Sequence, residues 1–534
     1  LLSVVEPKLP PVNILFSSGG KFYALLPNTE EAVKGLQGLQ NKVEGWLHNR
    51  LNAEVVLNIA YIKKSDEDLQ EFGKVMFELS NELRKKKLCT FSSVLKESGW
   101  KVDRFLLKGY GEGERPCRSC EKLPAKEQEE NEREICVFCK QDRDVGGELV
   151  KEETRFINIL RGKEEQLKAG WKLWDDLVVE VADRPRGEFS FAMRFIEEEN
   201  EETPVLLRRI ANYVPRGGKG VLDFEDISDA SEGRKAVAYL KADVDHLGKI
   251  FAFGLPQGNR SMSRIATLSR MLDLFFCGWI QQMLSGEIDN KEGDEEYKNI
   301  YTVFSGGDDL LLVGPWNDII NFIIKLNEKF RLYTCKNPAI TLSGGVVLAH
   351  PKTPVSFMAE EAEEALEMSK NGGRNRVTLF GETLEWDKAE NAIDKGEELA
   401  KWIENGSVSH GFVYNLLTYA QLYKGYYLSE RESEKVQRIN TRVWDEIKKD
   451  EKLKKQFGKI GILQTECLKW LPLMTYDIAR NLPASDEPKK KEVHDWAEQL
   501  KCNMENEEIE PSEILVMVNY ALNRTRGERG SEEE

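Results

Sequence analysis

The residues best suited to chemistry lie in Tyr301–Trp316, YTVFSGGDDLLLVGPW. Two apolar, strand-like runs, Tyr301–Phe304 and Leu310–Val313, flank Ser305-Gly306-Gly307-Asp308-Asp309. A glycine pair between such runs predicts a hairpin, because glycine supplies the positive φ of a tight turn. Two adjacent carboxylates at its tip repel one another unless a cation sits there. Hard divalent ions such as Mg²⁺ or Mn²⁺ take oxygen ligands, and phosphoryl transfer uses them to hold a triphosphate. The competing reading is an Asp-rich surface turn.

A second acidic element lies upstream in Ala236–Gly248, AVAYLKADVDHLG. Its apolar pattern predicts a strand ending in Asp243-Val244-Asp245. Side chains alternate along a strand, so Asp243 and Asp245 can share a face. Carboxylates from a strand end and a hairpin tip suit a two-metal site, with Asp243 as the expected ligand. Asp245 is read as a cap of the following helix. Downstream, Asn317–Phe330 carries Ile319, Ile320, Ile323 and Ile324 at helical spacing, with Asn317 or Asp318 as cap. Ala339–Leu348 reads as a strand and Ser356–Lys370 as an amphipathic helix. It closes on Lys370, Arg374 and Arg376, cations able to neutralise a triphosphate or to serve a helix C-terminus.

An internal repeat organises the chain. Phe16–Pro27, FSSGGKFYALLP, aligns without a gap on Phe304–Pro315, FSGGDDLLLVGP. Each copy is followed by a helix (Asn28–Leu51; Trp316–Thr334), a strand (Glu54–Tyr61; Ala339–Leu348) and a helix ending in basic residues. In the first copy Gly20 and Lys21 replace the two aspartates, leaving a nucleotide-site shape without metal ligands. The offset of 288 residues puts the counterpart of Asp243 before residue 1, so the chain is expected to begin mid-domain.

Between the copies, Cys117-x-x-Cys120 and Cys136-x-x-Cys139 stand fifteen residues apart. Two tight Cys turns predict a structural, tetrahedral Zn²⁺ site. Scattered other cysteines and the lack of a secretion signal disfavour disulfides. Leu206-Leu207-Arg208-Arg209 and Pro215–Lys219 form a locally basic stretch, an RNA contact or a solvated loop. After Asp387 the pattern becomes helical: Glu398–Ile403, Phe412–Tyr427, Glu434–Ile447, Ile460–Leu482 and Lys491–Met504. Trp402, Tyr419, Tyr423, Trp444 and Trp470 are expected in its core. His494-Asp495 is an isolated pair, too little for a metal-dependent phosphohydrolase. The tail Thr525–Glu534 reads as disordered.

The length, 534 residues, allows three or four domains. With 76 Lys and Arg against 92 Asp and Glu, the formal charge of −16 argues against a general nucleic-acid coat. No apolar run approaches a membrane span, and a cytoplasmic protein is expected. The expected fold is α+β: a first palm domain at 1–88, a zinc-binding linker domain at 89–234, a second palm domain at 235–386 and an α-helical bundle at 387–534.

Ala242-Asp243-Val244-Asp245-His246, Gly306-Gly307-Asp308-Asp309 and EALEMSKNGGRNRV resemble, in order and spacing, the motifs of diguanylate-cyclase (GGDEF) and palm-type nucleotidyl cyclase domains. The resemblance implies two ferredoxin-like palms, Asp243 and Asp308 as metal ligands, Asp309 beside them, and Lys370 and Arg374 on phosphates. Asp in place of the motif's Glu, and Leu310 in place of Phe, depart from the cyclic-di-GMP pattern. The order of parts resembles the large subunit of type III CRISPR effector complexes, most closely the Csm kind. That resemblance implies synthesis of cyclic oligoadenylate from ATP, activated by target RNA. It also implies Mg²⁺ or Mn²⁺, crRNA, a crRNA-end-holding subunit and a small helical subunit as partners. One ATP would meet Ser305, Gly306 and Gly307. The other would lie on Ser17, Ser18, Gly19 and Gly20, with Lys21 as a helper. The family's N-terminal HD nuclease is not expected in this stretch. A stand-alone cyclase and a non-catalytic scaffold are the alternative functions.

Overall fold

The structure, a computed structural model, describes residues 14–18, 20–51, 53–101, 114–125, 127–128, 134–162, 169–193, 203, 205–218, 220–256, 259–286, 297–437, 467–482 and 484–527. Two compact units emerge: Leu1–Val214 with His246–Lys291 and Phe304–Asp309, and Pro215–Asp245 with Glu292–Val303 and Leu310–Glu534.

The first copy of the repeat opens on an antiparallel hairpin, β1 (Ile14–Ser18) and β2 (Lys21–Ala24), with Ser18 opposite Lys21. Helix α1 (Glu30–Leu51) starts on Glu30 and Glu31 and ends near His48 and Arg50, charges that complement its dipole. Leu36, Leu39, Val43 and Leu47 fall on one face and are buried. The stretch 54–61, expected as a strand, is not one and joins no sheet among the described residues. Its equivalent in the second copy is a strand because a neighbour supplies its ladder; no described residue does so here. Helices α2 (Asp66–Gln70), α3 (Phe72–Lys87) and α4 (Ser92–Glu97) follow. As expected, α3 ends in Arg84–Lys87.

The linker contains a short ladder, β3 (Glu127–Gln128) with β4 (Glu134–Ile135), and helix α5 (Val137–Leu149). Then comes a sheet that the sequence did not reveal. Strands β5 (Phe156–Arg161), β6 (Gly170–Lys172), β7 (Leu177–Ala182), β8 (Phe189–Ala192) and β9 (Val205–Leu207) are ordered β6-β7-β5-β8-β9. Within this sheet only β8 and β9 are parallel neighbours. These strands span three to six residues, too short for a strong periodic signal.

A small hairpin, β10 (Arg216–Gly217) and β11 (Gly220–Val221), precedes helix α6 (Phe224–Asp229). Asp223 and Asp226 close a reciprocal capping box at its start. Ile227 packs with Val237, Tyr239 and Ala349, so this helix contributes to the second palm's core, upstream of the expected boundary.

The palm proper consists of β12 (Val237–Val244), α7 (Leu247–Phe253), α8 (Met262–Leu274), a π-helical turn (Phe275–Trp279), α9 (Ile280–Ser285), β13 (Tyr301–Gly306), β14 (Asp309–Pro315), α10 (Trp316–Tyr333), β15 (Leu342–Ala349), α11 (Val355–Asn371), β16 (Arg376–Leu379) and β17 (Glu382–Glu385). Its sheet runs β13-β14-β12-β15-β16-β17. The first four strands have the order of a ferredoxin-like palm. β12 and β15 pair antiparallel over eight residues, from Val237 opposite Ala349 to Val244 opposite Leu342. Helix α10 begins directly after Pro315, so Asn317 and Asp318 lie inside it and neither caps it. Asn317 instead accepts the Glu232 N–H. Trp316 is fully buried and donates its indole N–H to the Glu232 carbonyl. Truncating such a residue to Ala costs about 3–5 kcal/mol.

The C-terminal part is helical: α12 (Trp386–Glu404), α13 (His410–Gln437), then Trp470–Asn481, Pro488–Glu505 and Pro511–Arg524. Trp402, Tyr419, Tyr423 and Trp470 are in its core, as their spacing predicts. Trp444, most of Glu434–Ile447, the start of Ile460–Leu482 and the end of the tail lie outside the described residues. His494 donates from Nδ1 to the Leu482 carbonyl, a structural use of the ring. No helix among the described residues is long and apolar enough to cross a membrane.

Candidate functional site

Asp243 is the penultimate residue of β12. Its carboxylate faces Lys370, near the end of α11, at 2.9 Å. Burial pushes the Asp243 carboxyl above the usual carboxylate range, and Lys370 offsets this only in part. Burial pulls the Lys370 ammonium down, but hydrogen bonds and charge from Asp243 and Glu367 outweigh it and hold Lys370 protonated. A half-buried carboxylate already paired with a cation is a suitable donor for a hard metal, because an ion can take the place of the ammonium.

Asp245 has a different task from the one expected. It is buried and does not cap α7, whose cap residue is His246 at φ 56°. Its carboxylate accepts from Thr341 Oγ1 at 2.7 Å, Ser343 Oγ at 2.7 Å and the Asn375 backbone N–H at 2.9 Å. Three donors satisfy it internally and tie the ends of β12, β15 and the loop after α11 together. None of those partners had a signal in the sequence. Arg374, at φ 64°, turns back on the helix it follows, donating to the Lys370 carbonyl.

The Gly-Gly-Asp-Asp turn sits as the repeat predicts. Gly306 ends β13, Gly307 and Asp308 form the turn with Gly307 at φ 69°, and Asp309 opens β14. Asp308 and Asp309 are half-buried. β14 neighbours β12, the strand of Asp243, in the sheet. The Ser305 hydroxyl, expected near nucleotide, is buried and donates to the Phe276 carbonyl at 2.8 Å, so it anchors the hairpin.

In the first hairpin, Gly20 (φ 65°) and Lys21 are exposed. Gly19 and the side chains of Ser17 and Ser18 lie outside the described residues. β1 packs against α8, and α3 against α7. Elements inserted between β12 and β13 therefore support the first copy's hairpin and helix.

The four cysteines form a separate centre. The sulfurs of Cys117, Cys120, Cys136 and Cys139 all lie within 4.8 Å of one another. A tetrahedral Zn²⁺ with bonds of about 2.3 Å needs sulfurs roughly 3.8 Å apart. Cys117 Sγ accepts N–H bonds from Ser119 and Cys136, and Cys136 Sγ from Cys139. Burial raises the Cys117 thiol, but backbone N–H groups of Cys120, Cys136 and Ser119 bring it down to about 6. Donor set and spacing fit zinc. Arg50 stacks over Phe138 at 4.0 Å and pairs with Asp142 at 2.9 Å, joining α1 to the helix that begins in the second Cys pair.

Two family models match the chain: the second palm domain of Cas10/Cmr2 over residues 236–378, and Csm1 subunit domain B over residues 4–99. A Thermococcus onnurineus protein named CRISPR system single-strand-specific deoxyribonuclease Cas10/Csm1 (subtype III-A) is 28% identical over 403 residues, covering 71% of this chain and 49% of its own length. Crystal structures of a Csm1–Csm4 cassette with one ATP (22% identity) and with cA4 (20%) each cover 98% of this chain and 64% of theirs. Both superpose with TM-scores of 0.66, which establishes the fold. The chain spans about half the length of the curated relatives it matches. Palm motifs, domain matches and fold agree: the chain is a homologue of the Cas10/Csm1 proteins of subtype III-A CRISPR systems.

Proposed function

We propose that this chain joins ATP molecules through 3′–5′ nucleotidyl transfer into cyclic oligoadenylate, within a Csm-type effector that target RNA activates. The observation that carries this reading is the Asp243–Lys370 pair at the end of β12, in the same sheet as a Gly-Gly-Asp-Asp hairpin. Asp243 and Asp308 would hold Mg²⁺ or Mn²⁺, with Asp309 as a third carboxylate. The metal would supply the Lewis acidity that lowers the pKa of a ribose 3′-hydroxyl and neutralises the pyrophosphate leaving group. Asp243 would hold the ion in place of Lys370, whose ammonium would then be available to the triphosphate. Gly306 and Gly307 let the backbone approach the nucleotide. Arg374 remains available to phosphate beside it.

The second ATP would rest on the first hairpin, Ser17–Gly20, where backbone N–H groups meet phosphate and Lys21 adds charge. Lys21 in place of an aspartate leaves that hairpin as acceptor or donor platform without a metal. The cassette structures with ATP and with cA4 support the substrate and product class. The proposed partners are a Csm4-like subunit, the small helical subunit, crRNA and target RNA, in the cytoplasm; the four-cysteine centre would carry Zn²⁺ as a structural ion.

Mass-spectrometric analysis of products from ATP with Mg²⁺ or Mn²⁺, alone and in the assembled complex with target RNA, tests the reading. Ring-shaped adenylates that disappear in Asp308→Ala/Asp309→Ala support it, and their dependence on target RNA separates it from a stand-alone cyclase. ATP binding with no product under any condition would favour the scaffold.

A further inference from the structure

The hairpin's turn is gripped from outside the palm motifs. In the π-helical turn after α8, Ile280 N–H bonds to Phe275 rather than to Phe276, one residue further back than in an α-helix. The Phe276 carbonyl accepts Ser305 Oγ instead. Cys277, buried beside it, donates its thiol to the Ser305 carbonyl at 3.4 Å. One turn earlier, Asp273 Oδ1 accepts the Gly307 N–H at 3.3 Å and lies 3.6 Å from Cys277 Sγ. Its other oxygen is 3.7 Å from Arg208 Nη1. Arg208 directly follows β9 and is pinned by its own N–H to the Ala192 carbonyl at 2.7 Å.

We propose that Asp273 is a positioning residue for the nucleotidyl-transfer site. It holds the one amide whose orientation fixes the Gly-Gly turn, and with it the direction in which Asp308 and Asp309 leave that turn. Arg208 makes this grip depend on the linker sheet: when β9 shifts, the Asp273 carboxylate and the turn follow. The basic stretch that ended without a use in the sequence thus acts on the palm through one ion pair. The charge on Asp273 strengthens its bond to the amide, and the loss of the carboxylate would leave a buried N–H without a partner. A displacement of about 1 Å at reacting groups can cost about 100-fold in rate.

The inference rests on the proposed activity, so its test has two readouts. Hydrogen–deuterium exchange of the 304–309 peptide is compared in the assembled complex for wild type, Asp273→Ala, Asp273→Asn and Arg208→Met. Asp273→Ala should speed exchange there about ten-fold or more, and Asp273→Asn, which keeps an acceptor, should restore most protection. In parallel, Asp273→Ala should lower kcat about 10- to 100-fold with the KM for ATP within about two-fold. Asp273→Asn should recover most of this, and Arg208→Met should fall two- to five-fold, roughly between them. Exchange and kcat that stay at the wild-type level in Asp273→Ala would overturn the inference. So would equal loss in Asp273→Ala and Asp273→Asn, which marks a purely structural residue. If Asp273→Ala does not fold, Arg208→Met and Asp273→Asn carry the same comparison. Altered exchange without product from wild type would overturn the activity and leave the positioning role standing.

Discussion

Each of the two Gly-Gly hairpins is followed by a proline and a helix and carries a glycine in the left-handed region, though not at aligned positions: Gly20, which aligns with Asp308, at φ 65°, and Gly307 at 69°. They differ in what surrounds the turn. The second is buried at Gly307, flanked by Asp308 and Asp309, and set in a six-stranded sheet. The first has an exposed Gly20 and Lys21 in a two-stranded ladder, and the stretch after its helix joins no sheet among the described residues. On the proposed reading, one hairpin would serve a chemical site and the other a binding surface. The difference comes from the carboxylates and from the sheet that holds them.

The largest expected effect removes that asymmetry. Asp243→Ala should reduce product formation by about 1000-fold or more, since the proposed metal-holding carboxylate would act on the transition state. ATP turnover in the assembled complex measures it, and a loss under ten-fold would mean that the two copies differ less in chemistry than proposed. Lys370→Met comes next. Without its ammonium, the KM for ATP should rise about ten-fold, while the metal concentration needed for half-maximal rate falls because Asp243 has no competing partner. Unchanged metal dependence would sever the link between the ion pair and the metal.

Alanine at either turn glycine should cost about 1 kcal/mol of stability, because both φ values penalise a Cβ equally. Gly307→Ala should also lower kcat, whereas Gly20→Ala should raise the KM for ATP and spare kcat. Steady-state kinetics on both variants decide this, and matching kinetic profiles would make the hairpins functionally equivalent. The smallest effect concerns pH. Burial, then the nearby Asp273 carboxylate, pushes the Cys277 thiol up to about 12. An unfolded thiol titrates near 9, so the folded state binds this proton more tightly. Its contribution is complete below about pH 9 and is lost as pH rises from about 9 to 12. Denaturant unfolding should show a steeper alkaline loss in wild type than in Cys277→Ala; parallel curves would remove the thiol from the hairpin's anchor.

Much of the site was legible because its signals are local. Gly-Gly-Asp-Asp between apolar runs, Asp243 at a strand end, two C-x-x-C pairs and a gapless repeat are all short-range patterns. The C-terminal core followed from helical spacing of large side chains, and Trp402, Tyr423 and Trp470 are buried accordingly. The linker sheet escaped because its strands are too short to give a strong periodic signal. From local sequence Ser305 reads as a nucleotide contact and Asp245 as a helix cap, yet both are satisfied by distant partners: Phe276, and Thr341, Ser343 and Asn375.

By itself, then, the sequence determined which residues are candidate metal ligands, where the turns fall and that the hairpin occurs twice, because each depends on neighbours in the chain. Only the tertiary structure decided which carboxylate pairs with Lys370, which is sealed among hydroxyls, and that Asp273 grips Gly307. Those outcomes depend on donors that meet across 34 to 130 residues, and no pattern in a linear chain encodes which of them will arrive.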